Sequence, residues 1–89
     1  MNQVIIIGEV ICINKEEKEF DISIPRSKYP TMDDIKSDIF KCKGCNVLHR
    51  NITSLIKIKD KILIKGRIQE QSDKYYILVE SYQVLQRKV

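Results

Sequence analysis

A mostly β domain, closed into a small five-stranded barrel with one short helix between its third and fourth strands, is the fold class this sequence predicts. Three observations predict it. Apolar residues recur with a two-residue period over five separate stretches. The stretch with a helical stripe, Leu48, Ile52, Leu55 and Ile56, falls between the third and fourth of them. Two of the stretches carry an internal glycine, Gly8 and Gly66, where a barrel strand bends, bulges or lets another backbone approach closely. At 89 residues the chain makes a single domain, residues 1–89, near the small end of what folds without staples.

The first strand is expected over Gln3 to Ile13. Val4, Ile6, Val10 and Cys12 take one face and Ile5, Ile7, Ile11 and Ile13 the other, so its first half has no solvent face. A chain this short can cover one side with its own core, and a second subunit is the expected cover for the other. That reading makes Val4, Ile5, Ile6 and Ile7 the interface of a homodimer or homotetramer built through strand one. Asn14 to Lys18 is a charged turn. The second strand follows, with Phe20, Ile22 and Ile24 inward and Glu19, Asp21 and Ser23 outward, ended by Pro25.

Arg26 to Lys36 reads as a loop by composition, with Pro30 and a Thr31 to Asp34 capping spacing long enough for one helical turn. Asp33 and Asp34 would repel a phosphate, so contact with nucleic acid from this loop would use Arg26, Lys28 and Tyr29. An exposed hairpin tip would have the same composition.

The third strand is expected over Ser37 to Cys45, with Phe40 and Cys42 on the core face and Ile39, Lys41 and Lys43 outward. An apolar residue flanked by two lysines suits a surface that stacks bases and tracks phosphates; a charged outer face with one stray isoleucine is the plainer alternative. The helix spans roughly Val47 to Ile56, with Asn46 as its N-cap, and closes one end of the core. Lys57 to Asp60 is a polar turn. In the fourth strand, Lys61 to Glu70, Ile62, Ile64 and Ile68 face inward while Lys61, Lys65 and Arg67 face out. Gln71 to Asp73 is a hairpin turn, and Lys74 to Leu85 is the last strand, carrying Tyr75, Tyr76 and Tyr82. This order of strands and helix is that of the OB-fold, a Greek-key barrel that binds oligonucleotides and oligosaccharides.

Composition narrows the function classes. Sixteen lysines and arginines against twelve acids leave a net charge of +4, a mild preference for an anionic partner. Three cysteines at uneven spacing and no apolar presequence before the first strand point to a reduced, cytoplasmic setting, and no run approaches the ~20 apolar residues of a membrane span. Cys42, Cys45 and His49, with Cys12 as a fourth donor, imitate a zinc knuckle. Cys42 and Cys45 have opposite strand parity, and a closed structural site wants four converging ligands, so these are read as buried thiols, with no metal and no cofactor. His49 has no evident carboxylate partner and no nucleophile or phosphate-loop motif is present, so the chain is not expected to be an enzyme.

Short matches in conserved order sharpen this. Val4 to Gly8 (VIIIG) and Phe20 to Arg26 (FDISIPR) resemble the first two strands of bacterial single-stranded DNA-binding proteins. Ser37 to Cys42 (SDIFKC) and Asn51 to Gly66 (NITSLIKIKDKILIKG) resemble their third strand, helix and fourth strand, continued by Arg67-Ile68-Gln69. The resemblance implies an OB-fold that binds single strands through aromatic platforms and a basic groove and assembles through first strands. It also implies that Cys42 is core filling.

The departures matter as much. There is no tryptophan, and Ile39 and Cys45 stand where the family stacks bases, with Tyr29 about one residue from another such position. The hairpin after Gln69 is short, and no acidic tail follows. In that tail-less form the chain is similar to primosomal replication proteins of the PriB type, which are dimeric OB-folds.

Two functions are therefore expected. One is sequence-nonspecific single-stranded DNA binding in replication, recombination or repair, through Arg26, Lys28, Tyr29, Ile39, Lys41, Lys43, Lys65, Arg67 and Tyr75, with replication proteins as further partners. The other is a primosome-type adaptor that kept the barrel and lost the DNA platform.

Overall fold

Five strands and one helical turn make up the described part of the chain: β1 (Val4–Asn14), β2 (Glu19–Pro25), β3 (Ser37–Gly44), α1 (Ile52–Leu55), β4 (Lys61–Gln71) and β5 (Lys74–Gln86). The structure is a computed structural model and describes residues 2–25, 37–44 and 51–87. The strands close in the order β1-β2-β3-β5-β4, all neighbours antiparallel except β3 and β5, which run parallel. This is the expected OB topology, with α1 between β3 and β4.

The core is built from the inward parity of every strand plus the helical turn: Val10, Phe20, Ile22, Cys42, Ile52, Ile56, Ile62, Ile64, Ile77 and Val79 are buried. Val4, Ile6, Ile13, Ile24 and Tyr82 pack against it from the margins. Ile5, Ile7 and Ile11 point outward and stay exposed. The strand-one cluster therefore divides: Ile5 and Ile7 belong to the outer surface, while Val4 and Ile6 belong to the barrel.

Strict alternation fails along β1 because the register shifts between Val10 and Cys12. One extra residue on a strand inverts the faces beyond it. Cys12, expected inward with Val10, is exposed, and Ile13, expected outward, turns in. Two further shifts lie on β4 against β5, between Lys61 and Ile62 and between Lys65 and Gly66.

The two glycines are sites of close approach. A Cβ on Gly8 would lie 2.8 Å from the Ser23 carbonyl oxygen, and one on Gly66 would collide with the Leu78 carbonyl. Only a residue without a side chain lets these backbones meet.

The hairpin between β4 and β5 is tighter than expected. Gln71 pairs with Lys74, leaving Ser72 and Asp73, at φ 51 and 63, as a two-residue turn. Two left-handed residues in sequence give a turn whose twist matches the flanking strands.

The helix differs from its expected stripe. Ile52 and Ile56 are buried, but Thr53 replaces Leu55 as the third buried side chain, and Leu55 is exposed. A single turn offers the core one narrow face, here Ile52, Thr53 and Ile56, and Asn51 at its start makes no side-chain capping bond. Asn46, Val47, Leu48 and His49 lie outside the described residues.

The polar turn of residues 57–60 hides a buried charge. Asp60 accepts hydrogen bonds from the Lys57 backbone N–H (2.9 Å) and from Arg87 Nε (3.0 Å) and Nη2 (2.9 Å), and Arg87 Nη2 also donates to the Leu55 carbonyl (3.1 Å). The end of β5 is thereby tied to the helix end of the barrel.

Candidate nucleic-acid interface

Period-two alternation sends Ile39, Lys41 and Lys43 to the outer surface of β3, with Lys65 and Arg67 on the outer surface of β4, and register decides how they meet. Lys43 and Arg67 both pair with Leu78 on β5, from its two sides. Two basic positions 24 residues apart in sequence thus flank one outward leucine, about two strand spacings or ~10 Å apart. Tyr76 lies two residues from Leu78 on the same face, and the Lys43 ammonium sits 4.6 Å from its ring centroid. Lys65 stands further along β4, opposite Ile5 of β1 and Ser81 of β5.

The cations are not all unopposed. Glu19 and Asp21 on β2 lie opposite Lys43 and Lys41. Glu19 reaches Lys43 at 3.0 Å and Lys41 at 3.5 Å. Burial pushes the Glu19 carboxyl upward, and Lys43 and Lys41 outweigh it, so its pKa lies below the ordinary value. The Asp21 charge first, and then Glu19, hold the Lys41 ammonium above its usual value. Arg67 lies 3.7 Å from Glu80. Lys65 is exposed and makes no ion pair among the described residues.

Of the other expected site residues, Ile39 and Tyr75 are exposed, Ile39 opposite Ser23 and Tyr75 opposite Glu70. Arg26, Lys28 and Tyr29 lie outside the described residues.

Sequence reasoning missed Phe40. Its parity assigns it to the core, yet it is 38% exposed and lines an apolar pocket with Ile68, Tyr75, Tyr76 and Ile77. Ile68, also expected inward, is 41% exposed. Both lie near the strand ends that meet at one mouth of the barrel, where parity no longer guarantees cover. That the mouth is reached two residues beyond Cys42 is a matter of barrel stagger, which no single-strand pattern carries.

The suspected zinc donors do not converge where they are described. Cys42 is buried, and desolvation pushes its thiol up to about 12; Cys12 is exposed on the outer surface. Cys45 and His49 lie outside the described residues. No described helix is long and apolar enough to cross a membrane.

No family model matches the sequence, and no curated protein matches it either. Solved structures do. The mitochondrial single-stranded DNA-binding protein of S. cerevisiae superposes with a TM-score of 0.72 at 10% identity, over 98% of this chain and 97% of that one. A Plasmodium falciparum single-stranded DNA-binding protein, solved in complex with single-stranded DNA, superposes at 0.68 with 12% identity, over 97% and 96%. The small single-stranded DNA-binding protein of Streptomyces coelicolor gives 0.65 and 13%, over 92% and 90%. At such identities the likeness is one of fold, and this chain has the five-stranded OB barrel of these single-stranded DNA-binding proteins.

Proposed function

We propose that this protein binds single-stranded DNA without sequence preference and without catalysis. The observation that carries the reading is the convergence of Lys43 and Arg67 across Leu78, beside Tyr76, on one outer face of an OB barrel. Cations spaced across an apolar and aromatic surface hold a phosphate backbone while bases lie against the sheet. The nearly full-length fold likeness to single-stranded DNA-binding proteins, one of them solved with its DNA, supports the same reading. Lys41, Lys43, Lys65 and Arg67 would supply the charge and Ile39 and Tyr75 apolar contact, with Arg26, Lys28 and Tyr29 as further candidates from sequence. A role in DNA replication, recombination or repair belongs to the same proposal, in the cytoplasmic setting that the cysteine usage favours.

Assembly belongs to the same proposal. Ile5 and Ile7 are exposed on β1, with Leu63 opposite Ile7 on β4. A homodimer would cover them through paired first strands.

Fluorescence titration of an oligonucleotide across a salt series tests the function. With no tryptophan platform, lysine and arginine carry most of the affinity. Four to five phosphate contacts at about −0.7 each give a log–log salt slope of about −3. Absence of binding at low ionic strength would overturn the reading in favour of a protein-interaction module.

A further inference from the structure

The two mouths of the barrel are closed differently. Where β3 and β5 end and β4 begins, Ile52 and Ile56 of the helical segment are buried in the core and Arg87 is fastened to Asp60. At the opposite mouth, where β3 and β5 begin and β4 ends, Phe40, Ile68 and Tyr75 have core parity and remain exposed, Tyr75 by 68%. One step further in on the same faces, Cys42 and Ile77 are buried. The core therefore runs up to the floor of an open pocket of about 370 Å³, walled by Phe40, Ile68, Tyr75, Tyr76 and Ile77.

We infer that this pocket seats one unstacked nucleobase of a bound single strand. The inference rests on the single-stranded DNA reading above and adds a place for a base that lies in the barrel mouth, apart from the outer sheet face. Its size falls at the low end of pockets that hold small ligands, about 300–1,000 Å³. Three aromatic side chains in its wall offer π-surface to a planar ring, and two aliphatic ones complete an apolar lining.

One cation meets the lining directly, and it favours a nucleotide over an uncharged apolar ligand. The Lys43 ammonium lies 4.6 Å from the Tyr76 ring, Lys41 follows on the same outward face of β3, and exposed Lys74 adjoins Tyr75. An aromatic hollow with an ammonium group against one of its rings fits a ligand with flat apolar faces joined to an anion. Acids share this end of the barrel among the described residues: Asp38 lies two residues before Phe40 on the same strand, Glu70 stands opposite Tyr75, Asp73 precedes Lys74, and Glu19 and Asp21 face Lys43 and Lys41. Among the described lining side chains only the two tyrosine hydroxyls can hydrogen-bond, so these side chains would accept any base.

The test is NMR of the full chain, methyl-labelled, titrated with an oligothymidylate at low salt. Nuclear Overhauser contacts from base protons to the Ile68 and Ile77 methyls are expected. Tyr75→Ala, at an exposed position the fold does not need, should weaken binding roughly 5- to 150-fold, the range for one stacked base, without changing the salt slope. The methyl contacts decide the matter. Saturable binding without them overturns the pocket and leaves the single-strand reading standing. Absence of binding at low salt overturns both. Methyl shifts that grow with protein concentration alone, and that DNA does not alter, would assign the pocket to a second copy of the chain and overturn the inference.

Discussion

Two carboxylates, Glu19 and Asp60, decide more than their number suggests. Glu19 holds Lys41 and Lys43, so a phosphate that approaches these lysines must compete with a carboxylate already in place. Glu19→Gln should therefore tighten oligonucleotide binding and steepen the salt slope by about 0.7 for each lysine released, read from titrations at several salt concentrations. An unchanged slope would show that neither lysine meets the backbone.

Asp60 acts on stability. The Arg87 hydrogen bonds, with the Lys57 N–H and against the upward push of burial, hold its carboxyl below the ordinary value. A depressed folded-state pKa stabilises the fold above the unfolded value, near 3.9, and that contribution is lost as pH falls through the folded pKa. Asp60→Asn should cost about 1–3 kcal/mol at neutral pH and flatten the acid limb of a Tm-against-pH series. Arg87→Leu, by removing the cation that holds this carboxyl down, should destabilise at neutral pH and likewise flatten the acid limb, because Asp60 then has less depressed-pKa stability to lose as pH falls.

At the scale of elements, the register shifts and the close glycine contacts shape the barrel. The shift between Val10 and Cys12 turns Ile13 into the core and Cys12 out of it, which lets one strand pair with β4 through its first half and with β2 through its second. Near Gly66, β4 has its own shift and β5 presses its backbone against the strand, so a methyl there must displace main chain. Gly66→Ala is expected to destabilise by about 1–3 kcal/mol. For a domain of this size that lowers Tm by roughly 4–8 °C per kcal/mol, measurable by thermal denaturation. An unchanged Tm would mean that β4 and β5 separate at that point with no loss.

For the whole molecule, the unanswered surface is the outer face of β1. Ile5 is 60% exposed and Ile7 45%, on the half of β1 that pairs with β4. Sedimentation at micromolar concentration should show at least a dimer. Ile5→Lys with Ile7→Lys should give a folded monomer, since those side chains leave the core untouched. A wild-type monomer under the same conditions would remove strand one as the assembly surface.

Local chemistry in the sequence determined most of the architecture. A two-residue apolar period can bury only one face of a strand, so Phe20, Ile22 and Ile24 identified β2 and its inner side, and Pro25 its end. The same logic placed Lys41, Lys43, Lys65 and Arg67 outward. Only the tertiary structure decided what depends on distant backbones. The displacement of Cys12 by Ile13 comes from a shift against β2, the meeting of Lys43 with Arg67 from their shared neighbour Leu78 on β5, and the partnership of Asp60 with Arg87 from a chain end returning to the helix side. The exposure of Phe40 and Ile68 has the same origin. Parity tells which way a side chain points, but the stagger of the barrel decides whether anything lies in front of it.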